Sequence, residues 1–231
     1  MAINVDTVYK TVLLILNKEQ RGYMTPDEFN KMGEQVQLEI FEKYFEDLNQ
    51  LIRSPQTDSD YADRVTYLEE KISEFETVNA AQFVSGGTLT LPSNLHRLNT
   101  VAYSGIELQS LGRKEFYNIV RSPLTAPTET YPVYTQDNGY LRILPTTIKG
   151  GVIELAFLRT PVAPKWGFEV NQNLQFYVYR STESTNFELH ASEQTEVILR
   201  ILAYAGIIIR DPQIVQAASA QVQQQNINEK S

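Results

Sequence analysis

Residues 17–30, NKEQRGYMTPDEFN, separate two segments whose apolar residues recur at helical spacing. In the second half of this stretch Thr25 can cap a helix, Pro26 suits the first helical position, and Glu28 completes a capping box. In the first half Gly22 can adopt the positive φ that a tight reversal of the chain needs. The stretch therefore predicts a helical hairpin whose second helix starts at Thr25.

The first third of the chain keeps this helical period on both sides of the stretch. Apolar residues predict a first helix over 4–16, and the second helix carries an apolar stripe broad enough to be covered on more than one side. After the polar segment SPQTDSD, apolar residues at alternating steps of four and three over 61–75 predict a third packed helix.

After Gly86 and Gly87 the pattern changes to short β-type segments, TLTL, LNTVAYS and IELQS, followed by a helical turn or two in GRKEFYNI. In YPVYTQDNGYLRILP the dipeptide Asn138-Gly139 lies between two β-type segments and predicts a β-hairpin. VIELAFLR and LQFYVY add further strands. The middle of the chain is therefore predicted to be mainly sheet.

From Ser192 the helical period returns, and Asp211-Pro212 ends that helix and can cap a last one. The Gln-rich tail from Gln213 is weakly amphipathic, which predicts a helix that frays or waits for a partner. These patterns predict an α+β fold: a helical bundle from the N- and C-terminal segments with an inserted antiparallel β-rich section. The predicted parts are an N-terminal helical part over 1–81, a β-rich insertion over 82–191, and C-terminal helices over 192–231 that complete the helical body.

The composition and net charge of the chain disfavour several classes of function. The chain has 231 residues and a net charge of -8, which disfavours a protein that binds nucleic acid by neutralising phosphates. It contains no cysteine, which excludes disulfides, thiolate catalysis and Cys-ligated zinc. The N-terminus has no basic and apolar leader pattern, and the apolar segments are too short to span a bilayer. We expect synthesis in a cytosol and no membrane partner.

Residues with catalytic or metal-binding potential are few. His96 and His190 lie far apart and outside zinc spacing, so we interpret both as structural. No nucleophile elbow, phosphate-binding loop or dinucleotide fingerprint occurs. We therefore predict no catalytic residue, no bound cofactor and no metal ligand.

Two charged patterns resemble sites only weakly. The acids of DSDYADRVTYLE follow the spacing of a calcium loop, but Ala62 and Asp63 replace the expected ligand and glycine, so a helix-capping acidic turn is favoured. Near Phe116 and Tyr117 lie the basic residues Arg113, Lys114 and Arg121. A few cations beside aromatic residues occur on many protein surfaces, so we interpret them as ordinary surface residues and not as a nucleic-acid site. The acids Glu39, Glu42, Glu46 and Asp47 are interpreted as the solvent side of the second helix.

Without readable chemistry, the pattern favours a protein made for contacts with other subunits. Thirteen tyrosines are consistent with this, because Tyr buries a large area at modest entropic cost, although strand packing accounts for many of them. The predicted interface residues are Lys18, Glu19, Arg21 and Tyr23, at the exposed end of the helical hairpin. We predict that they contact an adjacent subunit.

Several segments together resemble structural proteins of tailed phages that infect Bacteroidetes, including the crAss-like phages. They are KEQRGYMTPDEFN, EIFEKYFEDL, LPSNLHRLNTV, ETYPVY, FLRTPVAPKW and NFELHASEQTEVILRILAYAGIIIRDPQI, and they cover nearly the whole chain. The layout of terminal helices around an inserted β-rich section also resembles the head-to-tail adaptor and tail tubular ring proteins of short-tailed phages.

This resemblance implies a homo-oligomeric, dodecameric ring in the neck or tail of the virion. Its partners are the portal protein and other connector or tail proteins, and double-stranded DNA passes through it as cargo. Rings need heterologous interfaces, and an acidic channel repels phosphate so that DNA slides past. Two alternatives stay open: another virion protein, such as a capsid-decorating or fibre-attachment protein, and a small hydrolase without a readable motif.

Overall fold

The computed structural model describes residues 2–18, 23–53, 60–82, 87–146, 148, 152–170, 176–208, 220–221 and 223–224. Within these ranges the chain forms five α-helices and ten β-strands. The helices are α1 (Val5–Lys18), α2 (Pro26–Arg53), α3 (Asp60–Ser73), α4 (Arg113–Arg121) and α5 (Gln194–Ile208). The strands are β1 (Glu76–Gln82), β2 (Thr88–Thr90), β3 (Leu95–Tyr103), β4 (Ile106–Glu107), β5 (Gln109–Ser110), β6 (Val133–Asp137), β7 (Tyr140–Leu144), β8 (Val152–Arg159), β9 (Phe168–Val170) and β10 (Tyr177–Tyr179).

The chain divides into two compact units. The helical unit consists of residues 1–74 and 161–231 and holds α1, α2, α3, α5 and the hairpin of β9 and β10. The β-rich unit consists of residues 75–160 and holds the other strands and α4. The predicted α+β fold, with an antiparallel β-rich section inserted between helical segments from both ends, is confirmed.

The first two helices begin with side-chain caps. Asn4 Oδ1 accepts from the backbone N–H of Asp6 at 2.9 Å and of Thr7 at 3.0 Å, which caps α1. The predicted capping box is confirmed, since the N–H of Thr25 donates to Glu28 Oε2 at 2.8 Å and the N–H of Glu28 donates to Thr25 Oγ1 at 3.4 Å.

Two amide side chains of α2 form hydrogen bonds with the backbone of the segment that follows residue 160. Buried Gln37 donates to the carbonyl of Val162 at 2.7 Å and accepts from the N–H of Glu188 at 2.9 Å. Asn30, two turns earlier on the helix, accepts from the N–H of Trp166 at 2.7 Å. Because these amides satisfy buried backbone groups of the returning segment, residues 161–191 belong to the helical unit.

The β-rich unit is built from two four-stranded sheets, in the orders β1-β8-β3-β4 and β2-β7-β6-β5. All pairs are antiparallel except β5 with β6. Alternate residues of β8 (Ile153, Leu155 and Phe157) join buried residues of the second sheet, among them Leu141 and Ile143, in one apolar core. Both sheets therefore share a single core.

The predicted hairpin at Asn138-Gly139 is confirmed. Asp137 pairs with Tyr140 across the turn, and Gly139 adopts a φ of 80°, the left-handed region that glycine enters without a Cβ clash. The predicted helical turns in GRKEFYNI form α4, whose buried Phe116 packs with Leu111 and Val133.

The unit boundaries differ from the predicted parts. The first part was expected to be helical to residue 81, but α3 ends at Ser73 and β1 already starts at Glu76. The predicted insertion covered 82–191, whereas the β-rich unit covers 75–160. Strand β1, ETVNAAQ, has little apolar alternation of its own and is defined by its full-length pairing with β8.

Two further predictions concern the chain's C-terminal end and membranes. The predicted helix end at Asp211-Pro212 lies outside the described residues, as does most of the tail from Gln213. Among the described helices, none combines the length and apolarity required to cross a membrane.

Candidate subunit interface

In the described part of the chain, no group of three or more His, Asp or Glu side chains is placed to hold a metal ion. Of the weakly calcium-like acids, Asp58 lies outside the described residues and Asp60 is the first residue of α3.

The two histidines lie in different units. His96 is exposed on β3. His190 Nδ1 accepts from the N–H of Ser192 at 3.3 Å, and Ser192 Oγ lies 2.9 Å from the same nitrogen. This contact spans two residues and caps the 3-10 turn Ala191–Glu193. In a catalytic serine-histidine pair, a carboxylate accepts a hydrogen bond from the second ring nitrogen of the histidine. Here the nearby carboxylate of Glu193 lies 3.5 Å from Ser192 Oγ instead. The geometry is that of a cap.

Of the four predicted interface residues, Tyr23 is the one whose side chain is described. Its ring is 58% exposed and stacks on Tyr177 of β10, with ring centres 6.5 Å apart and planes 10° apart. Lys18 is the last residue of α1, its side chain is outside the described set, and so are Glu19 and Arg21. The structure thus joins Tyr23 to the β9–β10 hairpin, 150 residues later in the chain.

Aromatic rings continue from Tyr23 into the core of the helical unit. The rings of Tyr177 and Phe168 pack edge to face, with their centres 5.1 Å apart. The centre of the Trp166 ring lies 6.1 Å from that of Phe168 and 4.4 Å from that of Tyr9. Trp166 Nε1 donates to Asp6 Oδ1 at 3.0 Å, which fixes the indole between α1 and the hairpin. The inner end of this series is buried, and burial raises the pKa of the Tyr9 hydroxyl above its ordinary value. The hairpin is therefore rigidly anchored on one side.

The same hairpin carries exposed apolar side chains on both faces. Val178 is 40% and Phe176 is 47% exposed on one face, while Val170 pairs with Tyr177 on the other and is 48% exposed. We call Tyr23 and Val170, on the Tyr177 face, and Phe176 and Val178, on the opposite face, the hairpin surface. A two-stranded hairpin is marginal in water by itself, and exposed apolar side chains on an anchored hairpin are typical of a protein contact site.

One pair of oppositely charged side chains is buried in the helical unit. Lys71 Nζ lies 2.5 Å from Glu193 Oε1, with the ring of Tyr67 4.4 Å away. Both charged residues are buried, so this pair joins α3 to the start of α5. The Tyr44 hydroxyl is buried beside them, has no hydrogen-bond partner among the described residues, and has a pKa raised by burial.

A second network, in which Glu196 is buried and its partners are partly exposed, joins α2 to α5. Glu196 accepts from Lys43 at 3.3 Å and from Arg200 at 2.6 Å, and Arg200 also donates to Glu39 at 3.3 Å. Tyr204 donates to the same Glu39 carboxylate. The interpretation of Glu39 as a solvent-side acid was wrong, because α5 brings a cation and a hydroxyl against it. These pairs specify how the helices pack and leave no free reactive group.

In the β-rich unit the basic residues near Phe116 and Tyr117 are partly neutralised. Arg113 donates to Asp137, and Arg142 Nη2 lies 3.6 Å from the other oxygen of that carboxylate. Hydrogen bonding from Arg113 holds the pKa of Asp137 below its usual value. Arg142 also donates to the Tyr117 hydroxyl at 3.2 Å. Arg113 and Arg142 of this cluster are therefore paired with the Asp137 carboxylate.

No protein-family model matches the chain, and no curated protein matches it significantly.

Proposed function

We propose that the chain is a non-enzymatic structural protein of a phage virion, a ring-forming head-to-tail connector that lies below the portal and joins capsid to tail. In this function copies of the chain surround part of the DNA channel. Double-stranded DNA is passing cargo, and the net charge of -8 keeps it from adhering to the wall.

The hairpin surface is the observation that carries this proposal. Tyr23, predicted from sequence to touch an adjacent subunit, is packed against a hairpin with three further exposed apolar side chains. Exposed apolar and aromatic side chains on an anchored hairpin are typical of a binding surface.

The architecture supports the same proposal. The helical unit is assembled from both ends of the chain and the β-rich unit is inserted between them, which is the layout expected of a connector by resemblance. Side-by-side helices suit a ring wall, because a rigid helical body holds its contact surfaces at a constant angle from one copy to the next.

The test is the state of assembly of the full chain. We expect closed rings in electron micrographs and a ring-sized species in analytical ultracentrifugation. Closed rings distinguish the connector from a capsid-decorating or fibre-attachment protein. A chain that stays monomeric at all concentrations and hydrolyses a glycan would contradict the proposal.

Substitutions on the hairpin surface test whether it forms the contact between subunits. Val178→Ser removes exposed apolar surface from the hairpin, and we expect it to raise the concentration for half-assembly about tenfold, equivalent to about 1.4 kcal/mol of contact energy. Val162→Ser is the matched control, since Val162 is 52% exposed in the same unit but lies outside the hairpin. If both variants assemble equally well, the hairpin surface is not part of the contact between subunits of the ring.

A further inference from the structure

The third helix of the helical unit, α3, buries few apolar side chains. Among its side chains that the structure describes, residues 64–73, Ile72 is the one apolar side chain that is buried, while Val65 and Leu68 are half-buried. The other buried side chain of this set is the charged Lys71. The helix α1 has the same length of 14 residues and buries Val5, Val8, Tyr9, Val12 and Leu16. A helix with few buried apolar contacts opens at a lower free energy than its neighbours.

Polar groups connect α3 to the chain before α5. Lys71 Nζ lies 2.5 Å from Glu193 Oε1, and the centre of the Tyr67 ring lies 4.4 Å from the same nitrogen. The Tyr67 hydroxyl donates to Ser192 Oγ at 3.0 Å. Both acceptors belong to the 3-10 turn Ala191–Glu193. These two contacts therefore fix the C-terminal half of α3 to this turn.

The ion pair of Lys71 and Glu193 specifies the position of α3 more than it stabilises it. Both side chains are buried, and the cost of removing two charges from water offsets most of their mutual attraction. Removing one of the two charges is costly, however, because the other is then buried without a partner. The pair therefore selects one closed position for α3 and adds little to the free energy that holds it there.

The Tyr44 hydroxyl of α2 opposes this closed position. Lys71 Nζ lies 5.4 Å from the centre of the Tyr44 ring, and the groups that act electrostatically on the hydroxyl include Glu193, Glu74 and Tyr67, so it faces α3 and the turn before α5. The hydroxyl is buried and has no hydrogen-bond partner among the described residues. A buried hydroxyl without a partner costs free energy, which is recovered when water reaches it. The closed position carries this cost, and an open position does not.

We propose that α3 is a releasable helix, which opens away from α2 and from the 3-10 turn while α1, α2 and α5 stay folded. The pair of Lys71 and Glu193 specifies the closed state, and the unpaired Tyr44 hydroxyl favours release. In the open state the ammonium, the carboxylate and the hydroxyl all reach water. This conformational device lies within the helical unit and uses no residue of the hairpin surface, so it goes beyond the proposed ring and is tested separately from it.

Hydrogen exchange of the full chain, followed by mass spectrometry, measures the opening of each helix. Peptides from α3 are expected to exchange at least about tenfold faster than peptides from α1 and α5, once each is corrected for its intrinsic rate. Peptides from α1 report the global stability of the unit in every variant, and circular dichroism checks that each variant is folded. Equal opening free energies for α3 and α1 would overturn the proposal, because α3 would then open only with the whole unit.

A matched pair of tyrosine variants tests the two hydroxyls that lie near Lys71. Tyr44→Phe removes the unpaired hydroxyl, so the exchange of α3 is expected to slow about tenfold. Tyr67→Phe removes the hydroxyl that donates to Ser192, so the exchange of α3 is expected to become about threefold faster. The same chemical change thus has opposite effects at the two positions. Faster exchange in both variants would show that the Tyr44 hydroxyl is hydrogen-bonded in the closed state, which contradicts its role in release.

Charge variants test the pair that specifies the closed state. Glu193→Gln leaves the Lys71 ammonium buried without a counter-charge, and the exchange of α3 is expected to become about a hundredfold faster. Lys71→Met with Glu193→Leu replaces both charges by apolar side chains and should return the exchange of α3 to the wild-type rate or below it. Glu42→Gln, an exposed neutralisation on α2, is the control and should leave α3 unchanged. If Glu193→Gln accelerates α1 and α3 equally, the pair stabilises the whole unit and α3 is not released by itself.

Discussion

At the scale of single residues, two amides on the apolar side of α2 decide where the chain folds back. Gln37 is buried and bridges the backbone of Val162 and Glu188, and Asn30 does the same for Trp166. Buried amides are retained where they satisfy backbone groups that no regular structure pairs. Their spacing with Gly33, three and four residues apart on the helix, is a signal that sequence reasoning missed.

Replacing Gln37 tests this role. Gln37→Leu keeps the volume but leaves the carbonyl of Val162 and the N–H of Glu188 unsatisfied, so we expect a loss of about 1–3 kcal/mol in the free energy of unfolding. The same substitution at exposed Gln35, on the same helix, should change stability by less than about 0.5 kcal/mol. Urea unfolding of both variants gives the comparison, and equal effects would show that the bridge is energetically neutral.

At the scale of elements, α2 and α5 are joined by charges in addition to apolar packing. Burial alone raises the pKa of Glu196, but Lys43 and Arg200 outweigh it and hold the pKa below its usual value of 4.5. A carboxylate whose pKa is lower in the folded than in the unfolded chain stabilises the fold above its unfolded pKa. That stabilisation is lost as the pH falls through the folded-state pKa.

Glu196→Gln should reveal this pH dependence. At pH 7 we expect it to cost about 1.5–3 kcal/mol, the range for hydrogen bonds to charged groups. The difference between variant and wild type should begin to shrink below pH 4.5, where the unfolded carboxylate becomes protonated, and should vanish as the pH falls through the lower folded-state pKa. Glu42→Gln, exposed on α2, serves as the control. A difference independent of pH between 7 and 3 would assign the effect to packing.

At the scale of the whole molecule, the chain consists of a helical unit and a β-rich unit, each with buried apolar residues of its own. Units with separate cores unfold separately unless a large interface couples them.

Core substitutions should therefore act on one unit at a time. Leu155→Ala creates a cavity in the shared core of the two sheets and should cost about 2–5 kcal/mol, while Ile40→Ala should do the same in the helical unit. In differential scanning calorimetry each variant is expected to lower one of two transitions and leave the other in place. A single transition lowered by both variants would show one cooperative unit instead.

The sequence by itself determined the elements with strong local chemistry. The start of α2 followed from Thr25 and Glu28, and the turn of β6 and β7 from Asn138-Gly139. The period of apolar residues indicated the α-helices and the α+β class. These features could be predicted because their hydrogen bonds and packing faces lie within a few residues of one another.

Only the tertiary structure decided the contacts between distant parts of the chain. It placed β1 on β8 although ETVNAAQ has a weak strand pattern, and it returned residues 161–191 to the helical unit through Gln37 and Asn30. It also brought Tyr23 onto Tyr177 and turned Glu39 toward Arg200. The physical reason is that backbone pairing and the burial of polar side chains depend on partners 70 or more residues away in the chain, which no local pattern encodes.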